Sequence, residues 1–128
     1  MRLRFAYLLF LAVSFLAATG TPSAHHSWSG YDMEHSVAMK GVVTQFDWSN
    51  PHVWISVEVR DDRGGTEKWT AGGPSPSRMS NSGWSQDSLK PGDTITVIGH
   101  RLENGSYGMR LTKVILPDGR ELICYGGR

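Results

Sequence analysis

Cysteine is almost missing from this chain. Cys124 is the only one among 128 residues, so no internal disulfide can form in any compartment, and burial as a small apolar side chain is its expected state. An excess of one charge is missing too. Thirteen Lys and Arg face twelve Asp and Glu, interspersed along the sequence, which leaves no basic stripe to neutralise a phosphate backbone and argues for no nucleic acid partner. Beyond the first eighteen residues there is no long apolar run, and with it goes any transmembrane segment in the mature protein. Also absent are a G-x-S-x-G elbow, an H-E-x-x-H helix, a phosphate-binding glycine loop and a cysteine with a histidine nearby in sequence. These absences weigh against hydrolase or transferase chemistry and favour a binding protein over an enzyme.

The N-terminus carries an export signal. Arg2 and Arg4 precede the apolar run of residues 5–18, and small residues follow. A cut after Ala24 removes both arginines, takes the formal net charge from +1 to −1, and frees His25-His26 as the new N-terminus. Pro22 fits poorly in the position three residues before that cut, and Ala18 with Gly20 offers an alternative that starts the chain at Thr21. Either cut predicts a periplasmic or secreted protein. We therefore divide the chain into a signal peptide at 1–24, an N-terminal arm at 25–36 and a β-domain at 37–128. One core of that size is ordinary for a single domain.

Within the domain the apolar residues alternate. Val37, Met39, Val43 and Phe46 suggest a long first strand, with Gly41 as the expected bulge or bend. Val53, Ile55, Val57 and Val59 alternate with Trp54, Ser56, Glu58 and Arg60, the period-2 signature of a half-buried strand. The turn Asp61–Gly65 returns the chain as a third strand over 66–71. Ser75-Pro76 suits a helix N-terminus, which predicts a short helix to about Ser82, closed by Gly83 with Trp84 folding back. A fourth strand follows the Pro91-Gly92 turn, a fifth covers 109–116 after Asn104-Gly105, and residues 122–125 make a short apolar tail. Three strands, a small helix and two more strands is the order of an OB-like five-stranded barrel, an all-β fold; a small sandwich is the alternative. Edge strands in such barrels can pair between chains, so the expected state is a monomer or a weak dimer.

The corner Trp48-Ser49-Asn50-Pro51-His52 joins the first two strands. Proline there forces a bend and an extended Asn50, and places a large ring beside a histidine at the sheet edge. Trp48 caps the core or faces a ligand, and His52 is a solvated strand start or a metal ligand. Trp48, Asn50 and Trp54 are the candidate ligand-binding residues, since OB barrels bind on strands two and three and alternation turns Trp54 outward. Trp69 has no assigned face, because one residue of register moves it across the sheet. The His25-His26-Ser27 start, the Trp48-x-Asn50-Pro51-His52 corner, Gly83-Trp84 and Leu89-Lys90-Pro91-Gly92-Asp93 together resemble a family of small exported bacterial proteins classed as domain of unknown function 6152. The resemblance implies an exported domain whose members often begin HHS after an Ala-x-Ala cut, a pattern from which Pro22-Ser23-Ala24 departs. It implies no activity.

Chemistry then rests on histidine. A free His25 offers an α-amine and an imidazole, and His26 offers a second imidazole, a nitrogen-rich set that suits copper first and zinc or nickel after it. A third ligand from His52, His35 or His100 would fix the arm on the barrel. The candidate metal set is His25, His26, His52 and His35, with copper or zinc as the cofactor. Met33, Met39, Met79 and Met109 lack a clustered spacing and read mostly as core. Asp32 and Glu34 beside His35 read as a solvated acidic loop. Two readings result: an exported metal-binding protein, or a metal-free OB-type module that takes a peptide, glycan or envelope protein on Trp54 and the corner.

Overall fold

The computed structural model describes residues 29–125. The export signal expected at 1–24, both expected cut sites, His25 and His26 lie outside them. The elements are β1 (Val37–Asp47), β2 (Trp54–Arg60), β3 (Thr66–Gly72), α1 (Pro76–Ser80), β4 (Thr94–Arg101), β5 (Gly108–Ile115) and β6 (Glu121–Ile123). The sheet runs β3-β2-β1-β4-β5-β6 and closes on itself through a β3–β5 pairing. All neighbours are antiparallel except that closure, which is parallel and joins Thr70, Ala71 and Gly72 to Gly108, Met109 and Arg110. The result is the five-stranded OB barrel expected from the strand order, with the helix between the third and fourth strands.

Closure depends on two strands that serve more than one neighbour. β1 pairs with β4 over Val37–Val42 and with β2 over Gly41–Asp47, so Gly41 belongs to both ladders. A Cβ on Gly41 would lie 2.6 Å from the Glu58 carbonyl oxygen, which is why glycine stands there. Gly41 is thus where β1 passes between two neighbours, as expected of a bulge or bend there, while the register shift itself falls between Val43 and Gln45 in the β1–β2 ladder. β5 divides one edge, giving 108–110 to β3 and 113–115 to β6. The sixth strand was expected as an apolar tail; three residues are too few for periodicity to reveal.

Alternation decides what faces inward. Val53, Ile55, Val57 and Val59 are buried, as are Ile95, Val97, Leu111 and Val114 from the far side of the barrel. Burying each such aliphatic chain contributes about 1.5–3 kcal/mol relative to exposure. The cross-strand pair Val57–Trp69 fixes the register of β3 and turns Trp69 into the interior. One barrel end is plugged by the α1 connection. Met79 is fully buried against Gly73, the helix stops at Ser80, and Gly83 at φ +87° lets Trp84 turn back so that its amide bonds the Met79 carbonyl at 3.1 Å. The Trp84 indole N–H then donates to the Ile123 carbonyl at 3.1 Å, tying the plug to β6. Ser75 precedes the helix as expected, but its side chain makes no cap bond and meets the Ser77 hydroxyl at 3.2 Å instead. Cys124 is buried, and burial pushes its thiol up to about 12.

Candidate functional site

Two places carry the candidate residues, and they lie beyond opposite ends of β1. At its C-terminal end is the 48–52 corner. Trp48 is half-buried and packs on the core with its ring 5.8 Å from Phe46, which in turn stands 6.3 Å from Trp84. That places Trp48 as a core cap. Asn50 is exposed, and the Asn50-Pro51 peptide is cis. Two backbone bonds staple the chain beyond the corner to the β3–α1 connection: Val53 N–H to the Pro74 carbonyl at 3.0 Å and Gly73 N–H to the Val53 carbonyl at 2.8 Å. His52 joins the same staple through Nδ1, 3.2 Å from the Gly73 carbonyl oxygen. Trp54 faces outward as alternation requires and lies over Gly72, whose added Cβ would come within 2.6 Å of the indole. The His52 ring meets Trp54 edge-on at 6.4 Å. The corner thus presents one indole and one imidazole, side by side, on the outer face of β2 and β3.

At the N-terminal end of β1 the arm is fastened to the end of β4. Tyr31 forms a bridge with Leu102, the Asp32 amide donates to the Arg101 carbonyl at 2.8 Å, and the Glu103 amide donates to the Gly30 carbonyl at 2.9 Å. Side chains complete the clasp. Asp32 Oδ1 accepts from the amides of Glu34 and His35 at 3.1 and 3.2 Å, and its carboxylate meets His35 Nδ1 at 2.9 Å. The bond from His35 is the main reason the Asp32 carboxyl is held below the usual aspartate range. Asp32 and Glu34 lie on an exposed loop, as expected, and Asp32 in addition organises its turn. His100 Nδ1 lies 3.0 Å from the carbonyl oxygens of both Asp32 and His35.

Carbonyl oxygens only accept, so His100 must carry its proton on Nδ1, and its Nε2 holds the lone pair when the ring is neutral. The same holds for His35 against an ionised carboxylate. The clasp therefore brings together Asp32, His35 and His100. It does not bring His35 to His52, because eleven residues of β1 separate the two places. Among the described residues, no three His, Cys, Asp or Glu side chains converge as a ready metal site. His25 and His26 lie outside the described residues. Met39 packs against the core and Met79 and Met109 are buried in it, whereas Met33 is exposed and its sulfur accepts from Arg110 Nη1 at 3.6 Å.

Sequence reasoning missed a third grouping, around Trp69. Its indole N–H donates to Glu67 at 2.8 Å, Arg101 stacks 4.6 Å above the ring, and Tyr107 tilts against it at 5.2 Å. Glu67 shares a strand face with Trp69 two residues on, but only the fold brings Arg101 and Tyr107 to the ring, and that is not written in local pattern.

No helix among the described residues is long and apolar enough to cross a membrane. No curated protein matches the sequence. Among solved structures, the mitochondrial single-stranded DNA-binding protein Rim1 of S. cerevisiae is similar in fold, with a TM-score of 0.50 over 65% of this chain and 93% of that one. At 9% identity the likeness speaks for the barrel alone. Residues 13–110 match the family of unknown function DUF6152, a match that runs into β5, and the chain belongs to that family.

Proposed function

We propose that this is an exported small binding protein, periplasmic or secreted, that handles a transition metal, copper or zinc, through histidines at and near its mature N-terminus. The observation that carries this reading is the clasp. From Gly30, four residues beyond His26, the chain is pinned to the end of β4 and the residues after it by three backbone contacts at Gly30, Tyr31 and Asp32, so a metal taken by the terminal pair would be held within reach of the barrel. A chelate on a fastened arm loses less conformational freedom than one on a loose terminus. Native mass spectrometry of untagged protein from its export compartment tests it. A mass beginning at His25 with one bound copper or zinc supports the reading. A start at Thr21 with no metal after copper is supplied overturns it. Replacing His25 and His26 together with alanine should abolish sub-micromolar copper binding.

A second reading draws on the outer face of β2 and β3. Trp54 resting on Gly72 with His52 beside it offers a flat aromatic surface of the kind OB barrels use, suited to a peptide, a glycan or an envelope protein. Here Trp54→Ala should weaken capture of the partner from envelope extract, while loss of His25 and His26 should not. Equal recovery by wild type and Trp54→Ala counts against this module.

A further inference from the structure

We infer that the outer face of β2 and β3 at Trp54 is a platform for a neutral oligosaccharide, with the indole as the stacking surface and Asp47, Ser56 and Thr70 as its polar rim. The inference rests on the second of the two readings above, the metal-free module, and names its ligand class. The terminal histidines take no part in it.

Four observations carry it. The first is the lie of the ring. A Cβ on Gly72 would be 2.6 Å from Trp54 Cζ3, and 3.0 and 3.1 Å from the atoms bonded to it on either side, Cη2 and Cε3. Near-equal distances to both neighbours put that point over the face of the ring, so the half-buried indole lies flat on the sheet and turns its other face outward. A pyranose presents an apolar C–H face of matching size, which stacks on such a ring. The second observation is hydrogen-bonding capacity held in reserve. Trp69 and Trp84 give their indole N–H groups to Glu67 and Ile123, whereas among the described residues nothing accepts from Trp54, and its N–H is not sealed in the interior. Strand pairing sets Asp47 beside Trp54 on β1, and Ser56 opposite Thr70 one step along the same face. The side-chain oxygens of these three make no hydrogen bond to another described residue. Third, the backbone beneath is closed. β2 is bonded to β1 and β3, and residues 70–72 of β3 to β2 and β5, so a peptide cannot add here as a strand and a ligand is held by side chains alone. The fourth observation is charge. OB barrels take oligonucleotides or oligosaccharides on this face. The register positions flanking Trp54 hold one carboxylate and no Lys or Arg, and the first base along the ladder, Lys68, comes four residues on and stands opposite Glu58. A phosphate backbone would find no counter-charge beside the ring, while sugar hydroxyls would find acceptors.

The test uses the full mature chain, untagged and labelled with ¹⁵N, with cellotetraose, maltotetraose and chitotetraose as neutral probes. Each indole N–H gives its own proton–nitrogen NMR signal. At least one of the sugars should shift the Trp54 indole signal and leave those of Trp69 and Trp84 in place, and its own ring protons should move upfield as they stack. Trp54→Ala should weaken that binding by about tenfold or more. Asp47→Asn and Ser56→Ala should each weaken it by about two- to tenfold. The wild-type shifts decide the matter if Trp54→Ala loosens the sheet. Shifts confined to other indoles, or no response to any of the three sugars at millimolar concentration, overturn the inference. Saturable binding of an oligothymidylate at the Trp54 signal, with the sugars silent, overturns it in favour of a nucleic acid. If no sugar binds and Trp54→Ala still loses the partner from envelope extract, the ligand class falls and the module reading stands. If no sugar binds and Trp54→Ala loses nothing, both fall.

Discussion

The corner and the clasp are both short, irregular segments that hold a histidine at an end of β1, yet they are built from opposite materials. The corner is apolar: Trp48 lies on Phe46, Phe46 on Trp84, and the backbone staple runs through Val53 and Gly73. The clasp is polar, a carboxylate and two imidazoles bonded to amides and carbonyls on a half-exposed surface. Apolar packing fixes a shape and resists change. Polar bonding on a wet surface contributes little to global stability but sets the direction and proton state of each ring. The corner is therefore the structural end, and the clasp is the chemical one.

That contrast breaks first at Trp84. Trp84→Ala should cost about 3–5 kcal/mol, read as a lower urea midpoint, because it empties the plug and removes the bond to Ile123. A loss below 1 kcal/mol would mean that the plug carries little of the fold. Alkali should act on the same end. The Cys124 thiol sits at about 12 in the folded chain against an ordinary value near 9. The unfolded chain loses that proton first as pH rises. Stability should therefore fall between those values by up to about 1.4 kcal/mol per pH unit. Denaturant melts of Cys124→Ala beside wild type isolate this contribution, and equal slopes would contradict it.

Gly72→Ala comes next, at about 1–3 kcal/mol, since the new methyl collides with the Trp54 indole. A red-shifted tryptophan emission would report the displaced ring. The smallest effect belongs to the clasp. The depressed Asp32 pKa means that its contribution is present above the ordinary aspartate range and disappears as pH falls through the folded value. Asp32→Asn at neutral pH should lower the protection of the Glu34 and His35 amides against exchange with the melting temperature unchanged. A lowered melting temperature would erase the distinction between the two ends.

The sequence announced the barrel more clearly than the site, and the reason is range. Val53 to Val59 carry their strand in their own alternation, and Gly83 and Gly105 mark turns that only glycine enters easily. The short helix and the outward Trp54 follow from equally local signals. Trp69 could not be placed until its pairing with Val57 was known, and the bulge at Val43/Gln45 has no residue that betrays it. Gly41 drew that expectation because a missing side chain serves a close crossing and a bulge alike. His100 is the sharpest case. The sequence offered it only as one of three possible third ligands, and its partners, 65 and 68 positions away, single it out once the arm is seen lying on β4.

The division of β5 between β3 and β6 has a consequence for how this protein meets others of its kind. A strand that gives half of one edge to each of two neighbours leaves no long row of open amides and carbonyls along that side. Beyond it, β6 offers only three residues as a template, and the stretch of β3 outside the closure carries Glu67 and Lys68. Fibril growth by strand addition needs a longer and less charged edge than either of these. The barrel is in this way protected from recruiting unfolded chains onto its edges.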